Sequence, residues 1–179
     1  MNKRRVAYRT LLAATLGVYA AMILCTLPAI IDSAGGLMPF DLRPGGYTLG
    51  EAEAFLANLE PRGRTLYLGW QHRLDLAYPA LLACLLAWSI AIQARVIGGR
   101  LVTALRWLGG ISAAAGMIFD YLENAAVAGL LGATEPLDPG LVAQASTWTV
   151  GKSATTSVAF IVLALLLVWR GVRYWVRRQ

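Results

Sequence analysis

Apolar residues run in four long stretches, about 10–31, 74–94, 107–131 and 143–169, with the polar residues gathered between them and at the ends. A bilayer crossing needs roughly 20 consecutive, mostly apolar residues, so the pattern predicts four membrane-spanning helices. Gly98-Gly99 marks a short basic turn between spans two and three, and Glu135-Pro-Leu-Asp-Pro-Gly140 reads as a helix stop between spans three and four. Segment 32–73 is the one long connection. Gly35-Gly36, Pro39 and Pro44-Gly45-Gly46 predict turns within it, and Thr48 with Glu51 three residues on has the spacing of a capping box. Leu49, Ala52, Phe55, Leu56 and Leu59 then recur at helical spacing, opposite Glu51, Glu53, Asn58 and Glu60. That periodicity predicts a short amphipathic helix ending near Pro61. Leu66, Leu68 and Trp70 lead into span two, whose helix is expected to begin near Arg64.

Charge orients the spans. Of the 16 Lys and Arg residues, Lys3, Arg4, Arg5, Arg9, Arg95, Arg100, Arg106, Arg170, Arg173, Arg177 and Arg178 fall at one end, and none of the 10 Asp and Glu residues lies among them. By the positive-inside rule that end is cytoplasmic, with both termini inside and segment 32–73 outside. Trp88, Trp107, Trp169, Tyr174 and Trp175 lie near the same end, as an interfacial aromatic belt would. The predicted fold class is all-α: an integral membrane four-helix bundle in a single domain, residues 1–179, with an extracytoplasmic cap that contains the amphipathic helix. The first apolar stretch is longer than the roughly 7–15 residues of a signal-peptide core, which predicts an uncleaved first helix.

Composition fits a membrane chain, at 58% hydrophobic residues. A net charge of +6 in a soluble protein would point to nucleic acid. Here topology and attraction to anionic lipid account for it, and the basic ends carry no recognition motif. The expected partners are therefore membrane lipids, with a membrane-protein partner or a homo-oligomer, and no nucleic acid. Cys25 and Cys84 fall inside spans and are expected to be small buried hydrophobes rather than a disulfide.

Ionisable residues at membrane depth carry the candidate chemistry, because each costs roughly 2.5–3.5 kcal/mol on insertion scales. On span three, Gly109, Ser112, Gly116, Asp120, Glu123 and Val127 follow steps of three and four and share one helix face. Ala145, Thr149, Lys152 and Thr156 form a similar stripe on span four. With Asp75 at the start of span two, they predict one polar cluster at the end away from the arginines. Its members are Asp75, Asp120, Glu123, Asn124 and Lys152, with His72, Tyr78 and Trp148, and Gln71 and Tyr121 beside them.

Such a cluster has several uses. Lys152 can pair with Asp120 or Glu123 and lock helices in register. The cluster can form an outward-facing pocket that binds a small molecule, lipid or ion, or seats a partner. Alternatively, Asp120 or Glu123 can act as acid/base of a membrane enzyme on a lipophilic substrate. A proton- or cation-coupled transporter is a further alternative and needs an oligomer, since four spans are few. No nucleophile elbow, HExxH, P-loop or GxGxxG occurs, so no catalytic residue is assigned. His72 and Asp75 supply two metal ligands without an evident third, so neither a metal nor a cofactor is expected.

Phe40-Asp-Leu-Arg-Pro-Gly-Gly-Tyr47, Trp70-Gln-His-Arg-Leu-Asp-Leu-Ala-Tyr-Pro79, Phe119-Asp-Tyr-Leu-Glu-Asn124 and Trp148-Thr-Val-Gly-Lys-Ser153 resemble segments of an uncharacterised family of small bacterial four-span membrane proteins. The resemblance covers nearly the whole chain. It implies a bacterial cytoplasmic membrane and supplies no activity or catalytic residues.

Overall fold

All regular structure in the computed structural model is helical, over the described residues 3–134, 136–176 and 178. Glu135 of the predicted stop and Arg177 of the basic set lie outside the described residues. Four stretches are long and apolar enough to cross a membrane: Lys3–Ser33, Pro61–Ile97, Arg100–Gly132 and Pro139–Val176. Each runs past the apolar stretch that announced it, because polar residues extend the helical turns at both ends.

The first stretch has three parts, α1 (Lys3–Ala21), a π-helical turn (Met22–Thr26) and α2 (Leu27–Ser33). Pro28 explains the break. It has no N–H to give the Leu24 carbonyl, and the helix widens in the turn just before it. After the long connection come α3 (Leu49–Asn58) and α4 (Pro61–Leu66). A second π-helical turn (Tyr67–Gln71) then leads into α5 (His72–Ile97). The helix of the second stretch thus begins at Pro61, a residue whose fixed φ suits a first turn. Gly98 and Gly99, both at positive φ, turn the chain into α6 (Arg100–Gly132). The last helix is α7 (Pro139–Val176). The helices are interrupted between Gly132 and Pro139, as the stop implies, but Pro139 and Gly140 open α7 rather than lie in the connection, with the Asp138 carboxylate accepting the Gly140 N–H at 2.8 Å.

α6 packs along α7 and α5, and the first stretch packs against α5. Small residues set the α6 seam. A Cβ at Gly109 would meet Ile90 Cδ1 at 2.7 Å and Val162 Cγ1 at 2.9 Å, and one at Gly116 would meet Thr156 Oγ1 at 2.5 Å. Close backbone approach of this kind is how helices associate where lipid removes the hydrophobic drive between them. Outward from the seams, Leu24, Trp107, Ile111, Ile161 and Val168 are exposed. Cys25 and Cys84 are exposed as well, which corrects the expectation of burial: both sit on helix faces that no neighbouring helix covers.

The long connection folds onto the acidic end of α6 and α7. α3 starts with the expected capping box: Thr48 N–H donates to Glu51 Oε2 at 2.7 Å and Glu51 N–H to Thr48 Oγ1 at 3.3 Å. Those bonds from Thr48 hold the Glu51 carboxyl below its ordinary range. Phe40 meets Tyr47 at 4.8 Å and Phe55 at 5.0 Å between ring centroids, and this cluster buries against Val127, Leu130, Val142 and Ala145. Burial also pushes the Tyr47 hydroxyl above its ordinary value. Gly46 is required where the connection meets α7. Its φ is +84°, and a Cβ there would strike Ser146 Oγ at 2.6 Å. That same hydroxyl accepts the Tyr47 N–H at 2.8 Å. Arg64 donates to the Leu131 carbonyl, one of the open acceptors at the end of α6.

Candidate functional site

The first stretch packs on α5 and leaves a cleft of about 370 Å³ between itself and α7. Its rim is exposed at Tyr19, Ile23 and Phe160 on the helices and at Leu42 on the connection. Its polar face comes from four elements. Asp41 arrives from the connection, Asp75 from α5, Asp120 from α6 and Lys152 from α7.

Lys152 is committed on its buried side. Its Nζ pairs with Glu123 Oε2 and lies 3.6 Å from Asp120 Oδ1. Glu123 is 0% exposed, so its second oxygen needs a donor, and Thr149 Oγ1 supplies one at 2.5 Å. Glu123 therefore backs the lysine from behind and does not line the cleft.

Asp75 is held by a relay built on the two widened turns. Thr26, last residue of the first, donates to Gln71 Oε1, and Gln71 is the last residue of the second. That bond leaves the buried Gln71 amide nitrogen pointing at Asp75, where it donates to both carboxylate oxygens at 3.0 and 2.9 Å. The backbone of Asp75 is braced separately. Pro79, four residues on, has no N–H for the Asp75 carbonyl. Asn124 Nδ2 takes that place from α6 at 3.0 Å. Asp41 is held by the Tyr67 hydroxyl at 2.5 Å. Tyr19 and Tyr78 stack at the rim, 5.7 Å between centroids and 22° between planes.

No family model, curated protein or solved structure matches the chain. The chemistry of the cleft must therefore be read from its own residues.

Of the residues expected in one cluster, Asp75, Tyr78, Asp120 and Lys152 line the cleft, while Glu123 and Asn124 support it from behind. Trp148 faces elsewhere: it stacks on Phe119 at 5.7 Å and packs against the apolar cluster under the connection. His72 is half-buried at the head of α5 and is not part of the lining. Tyr121, half-buried, donates to the Leu76 carbonyl. Among the described residues no group of three or more His, Cys, Asp and Glu side chains could hold a metal ion. Spacing along single helices had no means of finding Tyr19, Thr26 and Tyr67, or the placement of Asp41, because the first stretch and the connection contribute them.

The arrangement is unbalanced in charge. Three carboxylates, Asp41, Asp75 and Asp120, face the cleft. The one cation lining it among the described residues is Lys152, and Glu123 already opposes that charge. In surroundings of low dielectric such an excess is balanced by protons or by a bound cation.

Proposed function

We propose that this protein is a multi-pass membrane protein whose cleft binds an amphiphile with a cationic head, an alkyl chain ending in an ammonium group. The observation that carries it is the excess of carboxylate in the cleft over its single, already paired lysine. Two further features support it. The stacked Tyr19 and Tyr78 offer ring faces to a cation at the rim. Met22, Leu27 and Leu82 give an alkyl chain apolar wall to lie along. Exposed Ile23 and Phe160 leave the rim open on the sides of the helices, so a lipophilic ligand can enter from the bilayer. The basic end is taken as cytoplasmic with both termini inside, and the long connection as an extracytoplasmic cap over the helix bundle, in accord with the one-sided arginines.

Neither alternative draws the same support. Below the cleft, Ala83, Leu86, Ala113 and Gly116 leave a void of only about 10 Å³, room for no more than about one water, so transport has no path in this conformation. For the enzyme, Glu123 is sealed behind Lys152 and does not touch a substrate, which leaves Asp120, 3.6 Å from the same ammonium, as its one acid/base at the cleft.

Thermal unfolding in neutral maltoside micelles tests the proposal, with dodecyltrimethylammonium as the probe and dodecyl sulfate as its anionic counterpart. Ligand at about 100 times its Kd stabilises a single-site protein by about 2.7 kcal/mol. The ammonium probe is expected to raise the wild-type Tm, and to leave Asp75→Asn/Asp120→Asn unmoved. Equal stabilisation of both proteins, or a dodecyl sulfate effect as large as that of the cation, would contradict it.

A further inference from the structure

At the basic end of the molecule lies a second cleft, of about 440 Å³, between α1 and α5. Its chemistry is the reverse of the first. Arg4, Arg5, Arg9 and Arg95 surround it. The sequence places no carboxylate between Met1 and Ile31, or between Leu76 and Phe119, so no acidic side chain rises from either helix at this end. Arg5, Arg9 and Arg95 meet no carboxylate among the described residues. They stand exposed around a firm aromatic floor. Tyr8 is pinned by a hydrogen bond between its hydroxyl and Ser89 Oγ, 2.9 Å long, and meets Trp88 edge-on at 5.7 Å.

Four other arginines of this end are engaged by the protein itself. Arg173 donates to the Ile97 carbonyl and Arg170 to Gln93 Oε1. Arg106 and Arg178 lie over the rings of Trp107 and Tyr174. In the α1–α5 cleft, Arg5, Arg9 and Arg95 thus converge on a cavity rather than on protein carboxylates.

We infer that this cleft is a binding site for the phosphate headgroup of an anionic phospholipid. Guanidinium groups present forked donors that match phosphate oxygens, which Lys would meet only as a point charge. A Trp and a Tyr beside them suit the level where headgroup meets acyl chain. Basic pockets between spanning helices are a recognised way of holding such headgroups. Ile92 in the lining gives the upper acyl chain a first apolar contact. Free phosphate shares the headgroup's chemistry and lacks the chain. The site is independent of the carboxylate cleft, since it shares no lining residue with it.

Native mass spectrometry of the purified protein, titrated with phosphatidylglycerol in mixed micelles, reads the site directly. The Arg5→Gln/Arg9→Gln/Arg95→Gln variant is expected to bind about tenfold or more weakly, by the contribution of each basic residue near an anionic surface. Arg100→Gln/Arg106→Gln/Arg178→Gln removes equal charge from the same end and is expected to keep wild-type binding. Arg5→Lys/Arg9→Lys/Arg95→Lys should fall between, with its charge kept and its fork lost. Inorganic phosphate is expected not to displace the lipid at comparable concentration. Equal losses in the two glutamine variants would overturn the site in favour of diffuse surface charge, and ready displacement by inorganic phosphate would overturn its assignment to lipid.

Discussion

Lys152→Met is expected to destabilise the fold by about 3–5 kcal/mol, the usual cost of removing one partner from a buried ion pair. The reason is Glu123. It is 0% exposed, and among the described residues the Lys152 ammonium is the cation paired with it. Without Lys152, two carboxylates on adjacent turns of α6 would share a site with no cation. The Thr149 hydroxyl would remain as a donor and cannot neutralise a charge. Glu123→Gln/Lys152→Met is expected to regain most of the loss, because both charges leave together and Thr149 can still donate to the amide oxygen. Asp120→Asn should cost far less, since its oxygen lies 3.6 Å from Nζ and the side chain is 15% exposed. Denaturant unfolding in mild micelles measures all three. A Lys152→Met variant as stable as wild type would mean that water reaches Glu123.

Asn124→Leu is expected to cost about 1–3 kcal/mol, because it strips a buried carbonyl of the donor that stands in for the missing helical N–H. That carbonyl belongs to Asp75, and Pro79 is what leaves it open. The same substitution is expected to cost almost nothing beyond lost packing in a Pro79→Ala background, where an N–H at position 79 can close the ordinary helical bond. A double-mutant cycle on the two positions should therefore return a coupling of about 1–2 kcal/mol. Additive losses would show that Asn124 serves α5 in some other way. The cycle also bears on the cleft, since Pro79 lies one turn from Asp75.

Much of this architecture is written in simple periodicities. The acidic and small positions of α6, Gly109, Gly116 and Glu123 among them, fall on one buried face as their spacing implies. So do Ala145 and Thr149 of α7, and the Lys152–Glu123 pair forms once the two helices run antiparallel. The capping box at Thr48 is equally local and equally readable. Spacing fails as a guide where the period of 3.6 fails. The π-helical turns at Met22–Thr26 and Tyr67–Gln71 shift the register of the helices beyond them, so Thr26 and Gln71 meet although no helical wheel pairs them. Asp41 sits in a short 3₁₀ turn of the connection, and only tertiary folding carries it to Tyr67 and the cleft. The exposure of Cys25 was hidden for a different reason. In lipid the outside of a helix is as apolar as its inside, so hydrophobicity alone does not tell the two faces apart.

A carboxylate cleft that holds a cationic amphiphile should keep it through gentle purification. Mass spectrometry of the small molecules and lipids that co-purify from native membranes in mild detergent tests it most directly, with wild type compared with Asp75→Asn/Asp120→Asn. This variant leaves the Lys152–Glu123 pair in place. A cationic amphiphile is expected with wild type and is expected to be lost from the variant at equal stability. A ligand held equally by both, or one without a positive charge, would contradict it.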